Sequence, residues 1–198
     1  RFDGKAVRRE EILDMNRSFS HRGPDDEGIF LDGPLGLGHR RLSILDLSAS
    51  GHQPMEDSSG RYVITFNGEI YNFLELRRDL EKQGVLFRSR TDTEVILELY
   101  KRDGISCLAA LRGMFAFAIW DQQEKELFLA RDRVGKKPLK YFHDEKMFVF
   151  ASELKALFQD PQIPREIDQN VLGEYLSFAY IPSPRTGFQG IQKLPPGH

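Results

Sequence analysis

Apolar residues recur at helical spacing in six stretches of the chain. Ile12, Met15 and Phe19 share one face in the first stretch, and Ile70, Phe73 and Leu80 do so in the second. Thr91 and Glu94 have the spacing of a capping box at the start of the third helix. The helices are predicted over residues 9–19, about 70–80, 91–102, 105–112, 152–158 and 168–178.

Apolar runs of strand length alternate with turn-forming residues. Strands are predicted within a hairpin at 28–43 and over 61–66, 114–121, 126–132 and 147–151. The loop-like segments are 48–60 and a connector over 181–198, which is rich in proline and glycine. The predicted strands occur in groups separated by a block of helices, so we expect an α+β layered sandwich of antiparallel sheets and not a doubly wound parallel sheet.

Composition narrows the class of protein. The 198 residues are 40% hydrophobic and 29% charged, with a net charge of −2, as in a soluble globular protein. Basic residues do not outnumber acidic ones, so the chain has no excess positive charge to attract nucleic acid. The longest apolar run, 114–120, is far shorter than the roughly 20 residues that span a bilayer. The single cysteine, Cys107, excludes an internal disulfide and fits a reducing, cytoplasmic location. The five histidines lack metal-ligand spacing, so no metal is expected.

The dipeptide Asn67-Gly68 is the most suggestive candidate for chemistry. A carboxamide N–H beside a backbone N–H can stabilise an oxyanion in acyl transfer. The alternative is an ordinary Asn-Gly turn, for which this dipeptide is common. Glu69 follows directly and could hold an ammonium group.

Two further positions carry both a structural and a functional interpretation. Alternation places Arg41 and His39 on one face of a strand and Arg40 on the other. An inward arginine pairs with a carboxylate of the protein or of a ligand. Asp92, in the first turn of its helix, is typical of a residue that stabilises the helix dipole. Cys107 is expected to be a buried structural thiol.

Several motifs together, in order and over nearly the whole chain, resemble the class II glutamine amidotransferase domain, in the version found in glutamine-hydrolysing asparagine synthetases. They are residues 21–25 (HRGPD), 38–44 (GHRRLSI), 66–72 (FNGEIYN), 91–96 (TDTEVI), 113–118 (GMFAFA), 131–139 (RDRVGKKPL), 151–157 (ASELKAL), 182–186 (PSPRT) and 194–198 (LPPGH).

The resemblance implies an N-terminal-nucleophile hydrolase fold, an αββα sandwich of two antiparallel sheets with outer helices. It also implies hydrolysis of glutamine by an N-terminal cysteine, whose α-amino group acts as the base. Ammonia then passes to an ATP-dependent synthetase domain that amidates aspartate. ATP and Mg²⁺ are expected there, and no cofactor is expected in this domain. The expected partners are glutamine, the synthetase domain of the same chain and a second copy in a homodimer.

The resemblance assigns the site residues by matched position. The Asn67 side chain and the Gly68 N–H form the oxyanion hole, Arg41 binds the glutamine α-carboxylate, and Glu69 and Asp92 hold its α-amino group. Backbone groups of the segment after Arg41 line the pocket; its residues are Leu42, Ser43, Ile44 and Leu45.

The sequence departs from the family pattern at its start and at one internal position. It begins with Arg1, where about eight residues with the nucleophilic cysteine are expected to precede, so a chain of these residues alone is expected to be inactive. Lys140 stands where the family more often has tyrosine. The amidotransferase domain is predicted over 1–160 and a connector to the synthetase domain over 161–198. Two alternatives stay open: a paralogue that amidates another carboxylate, and a catalytically inactive glutamine-binding regulatory module.

Overall fold

Five α-helices and nine β-strands are present in the computed structural model, which describes residues 1–44, 46 and 48–198. The helices are α1 (Arg9–Ser18), α2 (Phe73–Lys82), α3 (Asp92–Asp103), α4 (Leu154–Leu157) and α5 (Leu172–Phe178). The strands are β1 (Asp26–Asp32), β2 (Leu35–Arg41), β3 (Met55–Glu56), β4 (Tyr62–Ile70), β5 (Gly113–Asp121), β6 (Glu126–Arg131), β7 (Lys140–His143), β8 (Phe148–Ala151) and β9 (Ile191–Lys193).

The strands form three antiparallel sheets. Their orders are β1-β2, β3-β4-β5-β6 and β8-β7-β9. The central pair is β4 with β5, which match over all nine residues of each strand, from Tyr62 opposite Asp121 to Ile70 opposite Gly113. Successive residues of a strand point to opposite faces, so this register decides on which face of the sheet each β4 side chain lies.

The two faces of the four-stranded sheet bury different partners. Ile64, Phe66 and Phe117 belong to a core shared with α2 and α3, while Val63 and Trp120 pack on β1, β2 and β8. Helices α1 and α4 cover the far side of that second layer, where Met15 and Phe19 join a core with β7 and β9. The order helix, sheet, sheet, helix is the predicted αββα sandwich.

The start of α3 follows the prediction in part. Thr91 is the N-cap and accepts the backbone N–H of Glu94 at 3.3 Å. The Glu94 carboxylate does not return to Thr91; it accepts the backbone N–H groups of Arg88 and Ser89 at 2.8 and 2.7 Å. The same side chain therefore ties the preceding loop to the helix, and the cap is sound without the reciprocal bond.

Several predicted boundaries are wrong for identifiable reasons. The strand predicted to end at Asn67-Gly68 continues to Ile70, because β5 supplies pairing partners for all of these residues. The helix predicted to start with Ile70 begins at Phe73. The helix predicted over 152–158 spans only Leu154–Leu157, and its N-cap is Glu153. The helix predicted over 105–112 is a 3₁₀ helix, Gly104–Ala109.

The tail predicted to be an unpacked connector contains a strand. In β9, Ile191 lies opposite Phe142 of β7 and is buried. Strand β7 itself was not predicted, because Lys140 and His143 interrupt the apolar pattern of so short a segment. Within the described residues, no helix is both long and apolar enough to cross a membrane.

Candidate active site

The backbone N–H groups of three alternate residues, Phe66, Gly68 and Ile70, point to the edge of β4 that faces away from β5. The N–H of Phe66 donates to Gln53 Oε1 at 2.7 Å, and the N–H of Ile70 donates to Asp92 Oδ2 at 2.9 Å. Alternation along the strand places the N–H of Gly68 on the same edge, between these two. Among the described residues no side chain accepts from it, and Gly68 lines the cavity described below. One backbone donor is thus presented to the cavity between two satisfied ones.

Gly68 is required by the close approach of β5. A Cβ atom at this position would lie 2.7 Å from the Phe66 ring and 2.8 Å from Phe115 Cα, and closer still to the carbonyl oxygen of Met114. A side chain would therefore push β4 away from β5. The glycine lets the strand keep its register while exposing the N–H.

Asn67 and Glu69 lie on the opposite face of β4 from Phe66 and Ile70, toward the second sheet layer. They border a cavity of about 1410 Å³ between the layers. Arg41, Asp92 and Gly68 border the same cavity. The structure thus brings together five residues that the sequence places in three separate segments.

Asp92 is a buried carboxylate with a perturbed pKa. Burial raises its pKa to about 6, and the neighbouring Glu69 charge adds to the effect. The backbone N–H groups of Ile70 and Thr93 act in the opposite direction. The side chain is therefore mostly ionised at pH 7, and together with Glu69 it places carboxylate groups at one end of the cavity.

The Arg41 guanidinium is held in place by a neighbouring loop. It donates to the carbonyl oxygens of Ser48, at 3.0 Å, and of Asp46. Gly51 makes this possible, because a Cβ there would come within 2.6 Å of Arg41 Cζ. Carbonyl groups are neutral acceptors, so these two contacts orient the guanidinium without cancelling its charge.

The segment after Arg41 reaches the cavity only in part. Leu42 and Ile44 line it, with 56% and 69% of their surface exposed. Ser43 does not line it, and its backbone N–H donates to Asp25 Oδ2 at 2.7 Å. Leu45 lies outside the described residues. The pocket-lining role of this segment stays a prediction.

His39 lines the cavity on the same face of β2 as Arg41. Its Nδ1 is 3.1 Å from Thr65 Oγ1. Burial lowers its pKa to about 4, with the Arg41 charge acting in the same direction. The imidazole is therefore neutral at pH 7 and adds no charge to the site.

Two contact residues of the site were not predicted. Gln53 is buried and bridges β4 to α3, because its Nε2 also donates to Thr93 Oγ1 at 3.2 Å. Ser152 lies at the cavity, and its Oγ accepts from Asn67 Nδ2 at 3.5 Å. Gln53 belongs to no motif, and Ser152 lies in the 151–157 motif without an assigned role, so only the tertiary structure places the two residues at the site.

Cys107 is buried, and burial raises the pKa of its thiol to about 11. It belongs to the core against α2 and α3, away from the cavity. The prediction of a structural thiol is thus supported by its surroundings. Within the described residues, no group of three or more His, Cys, Asp or Glu side chains is arranged to hold a metal ion.

A family model described as a glutamine amidotransferase domain matches residues 1–198. The chain is 44% identical over 192 residues to the glutamine-hydrolysing asparagine synthetase 1 of Bacillus subtilis, with 97% of this chain and 30% of the relative covered. It is 37% identical over 201 residues to asparagine synthetase 3 of the same organism, with 100% and 33% covered. The chain thus spans about a third of the length of these relatives.

A solved structure has the same fold. The glutamine phosphoribosylpyrophosphate amidotransferase of B. subtilis, complexed with ADP and GMP, superposes with a TM-score of 0.68 at 25% identity, over 78% of this chain and 41% of that one. This confirms the predicted N-terminal-nucleophile hydrolase sandwich. The chain therefore belongs to the glutamine amidotransferase domain family, in the group of domains found in glutamine-hydrolysing asparagine synthetases.

Proposed function

We propose that the cavity between the sheets binds glutamine and that its amide is hydrolysed there to glutamate and ammonia. The observation that carries the proposal is the pair of donors at Asn67 and Gly68, on a strand edge whose other N–H groups are satisfied. Such donors stabilise the oxyanion of a tetrahedral intermediate, and each contributes roughly 3–4 kcal/mol in acyl transfer.

The charges around the cavity suit an amino acid as the substrate. Arg41 offers a planar set of N–H donors for the α-carboxylate. Glu69 and Asp92 offer carboxylates for the α-ammonium group, and Asp92 is tied to β4 by its bond from the Ile70 N–H. A zwitterion held at both charged groups would extend its side-chain amide along the same strand toward Asn67.

The nucleophile is proposed to come from a segment ahead of Arg1. The Arg1 backbone nitrogen donates to the carbonyl of Pro34 at 2.8 Å, and the Phe2 N–H donates to the carbonyl of Lys146. Arg1 thus lies where both β2 and β8 begin. Among the described strands, β2 pairs only with β1 and β8 only with β7, and both line the cavity.

A strand that runs into Arg1 between β2 and β8 would be antiparallel to both. The seven residues of β2 span about 23 Å at 3.3 Å per residue. A strand of similar length would therefore start beside Arg41 and Ser152, close to Asn67. An N-terminal cysteine at that point would attack the glutamine Cδ, release ammonia from the tetrahedral intermediate and leave a thioester, which water hydrolyses to glutamate.

The whole protein is proposed to be an asparagine synthetase. Ammonia from this domain would pass to a synthetase domain of the same chain that activates aspartate with ATP and Mg²⁺. The proposal further includes that the whole protein forms a homodimer and is located in the cytoplasm. Sedimentation of the full-length protein tests the homodimer, and an assay of asparagine formation from aspartate, ATP and ammonia tests the acceptor. A synthetase that uses another carboxylate would fail only the second test.

Glutamate release by the full-length protein, purified from its own cell, tests the glutaminase function. N-terminal sequencing and intact mass of the same sample test the nucleophile. A mature terminus of cysteine about eight residues ahead of Arg1, together with glutamate release, is the expected result. A terminus without cysteine and no release would contradict the proposal and favour a glutamine-binding regulatory module.

A further inference from the structure

Lys140 is an unusual residue for its position in the fold. It lies on β7 opposite Ala151 of β8, and burial lowers the pKa of its ammonium group. Among the described residues it makes no ion pair within 4 Å. A half-buried cation without a direct counter-ion opposes folding. A specific contact of the Lys140 ammonium group must therefore offset this unfavourable free energy.

The contact that Lys140 makes is with the backbone of Ser152. Its Nζ donates to the Ser152 carbonyl oxygen at 2.9 Å. Ser152 follows β8 directly and precedes Glu153, the N-cap of α4. The lysine therefore fixes the backbone at the point where the chain leaves the sheet and turns into the helix.

Ser152 is also the residue that contacts the Asn67 carboxamide. Its Oγ accepts from Asn67 Nδ2 at 3.5 Å, the outer limit of a hydrogen bond. Bonds of this kind are often long in an unliganded site and shorten when substrate binds. An amide nitrogen carries two hydrogens, so a bond to Ser152 through one of them leaves the second to donate to an oxyanion.

The geometry points to Lys140 as a positioning residue for Asn67, acting through Ser152; the inference rests on the proposed glutaminase function. Lys140 holds the Ser152 backbone, Ser152 orients the Asn67 amide, and Asn67 presents its second N–H to the cavity. The lysine does not touch the substrate in this arrangement. Its effect is on the transition state, where the oxyanion forms, and not on binding of the glutamine zwitterion at Arg41, Glu69 and Asp92.

The charged groups around Lys140 act on its pKa in opposite directions. Glu153 raises its pKa, whereas Lys193, Arg131 and Arg22 lower it. Glu153 is shared with other partners, because His21, Arg22 and Lys155 lie 3.1–3.3 Å from its carboxylate. The Ser152 carbonyl is therefore the direct contact that holds the Lys140 ammonium group.

Lys193 provides a matched control. It lies directly opposite Lys140 across β7 and β9, its pKa is also lowered by burial, and its Nζ also donates to a backbone carbonyl, that of Ile181. Unlike Lys140, it makes no hydrogen bond to Ser152 among the described residues. Lys193→Met thus removes a second, partly exposed cation from the same sheet and leaves the Lys140, Ser152 and Asn67 side chains in place.

The test is steady-state glutaminase kinetics of the full-length protein. Lys140→Met and Ser152→Ala are each expected to lower kcat for glutamine about 10-fold with little change in KM, as for supporting residues of other sites. The double variant should lose no more than the larger single loss, because the two residues act in series. Lys140→Arg should recover most of the rate, and Lys193→Met should keep wild-type kcat.

Other outcomes separate the alternatives. If Lys140→Met keeps wild-type kcat, or if kcat falls equally in Lys193→Met, the positioning role is wrong. A melting temperature that falls together with kcat, without rescue by Lys140→Arg, would indicate a merely structural lysine. As a readout independent of turnover, the side-chain amide resonances of Asn67 should shift in Lys140→Met and not in Lys193→Met. Wild-type protein without glutaminase activity would refute the proposed function itself, whatever the variants do.

Discussion

The Asp92 carboxylate accepts the backbone N–H of Ile70 at 2.9 Å and so ties the first turn of α3 to the end of β4. The same strand carries Asn67, Gly68 and Glu69. One buried carboxylate therefore has two tasks: it holds the helix against the strand, and it contributes negative charge at the cavity. The first task would be met by any acceptor, whereas the second requires ionisation.

We predict that Asp92→Asn changes the pH dependence of stability. The folded-state pKa of about 6 lies above the ordinary aspartate value of 3.8, so ionisation opposes folding. Asp92 therefore contributes stability below about pH 4 that is lost as the pH rises through 6. The asparagine retains an oxygen for Ile70 but cannot ionise. Relative to wild type, the variant should gain up to about 3 kcal/mol between pH 4 and pH 7.5, measured by urea unfolding.

Asp57→Asn is the control for this measurement. Burial opposes ionisation of Asp57, but hydrogen bonds from Ser59 and Tyr62 and the contact with Lys101 lower its pKa to about 2. That carboxylate stabilises the fold at all pH values above about 4. Its variant should thus lose a constant amount between pH 4.5 and 7.5. A parallel, pH-independent change in Asp92→Asn would contradict the assigned pKa.

A second prediction concerns Gly68. In Gly68→Ala the new methyl group meets the backbone of Met114 and Phe115, so β4 must shift from β5. Overpacking of this kind costs about 1–3 kcal/mol of unfolding free energy, and the displaced N–H should also lower kcat for glutamine. Thermal unfolding and glutaminase assays measure the two effects.

Gly173→Ala is the matched substitution in open space. Nothing lies within 4 Å of a Cβ at Gly173, which is in α5. Because alanine favours helix over glycine, this variant should be neutral or more stable by up to about 1 kcal/mol. If Gly68→Ala were equally stable, the close approach of β5 would not constrain this position.

The layered sandwich could be predicted because its signals are local. The pattern of apolar residues located β5, and the capping pattern located α3 at Thr91. The strand character of Asn67-Gly68 could not be predicted, because it depends on pairing with Ala116 and Phe115, almost fifty positions later. Turn propensity is a local preference, and nine paired residues override it. Strand β9 was not predicted for the same reason: its strand conformation depends on pairing with β7, a distant segment of the chain.

The residues of the candidate site also fall into those that the sequence predicts and those that it does not. Arg41, Asn67 and Asp92 could be proposed because the sequence around them matches a known family. Gln53 lies outside the matched motifs, and Ser152 lies within one of them, 151–157, without a role assigned to it; each contacts a β4 residue. Residues that orient a site act through distances between separate segments, and a sequence pattern does not contain those distances.

A third prediction concerns the oxyanion donor. Asn67→Ala removes the carboxamide and should lower glutaminase kcat about 100-fold or more, with KM for glutamine little changed. Asn67→Asp keeps the shape but replaces the donor by a negative charge, so its loss should be at least as large. Asn170→Ala, at an exposed position away from the cavity, serves as the control. Near-normal turnover of Asn67→Ala would overturn the assignment.

A fourth prediction concerns Cys107, whose raised pKa and burial keep the thiol protonated and inaccessible. Iodoacetamide should modify it only under unfolding conditions, because the thiolate is the reactive species. Cys107→Ala should retain glutaminase activity in the full-length protein. Mass spectrometry before and after denaturation measures the labelling, and rapid labelling of the native protein would contradict this account.

The last prediction separates binding from folding at Arg41. Arg41→Ala should raise KM for glutamine at least 10-fold, since a charge-assisted contact contributes roughly 1.5–3 kcal/mol, while synthesis from free ammonia should persist. Arg40→Ala is the matched control. Arg40 is the neighbour of Arg41 on β2; it donates to the Gly23 carbonyl at 2.9 Å and lies 3.6 Å from Glu27, so KM should change little in this variant. Equal loss of the glutamine-dependent and ammonia-dependent activities in Arg41→Ala would show that this arginine supports the fold through the Ser48 loop and does not bind the α-carboxylate.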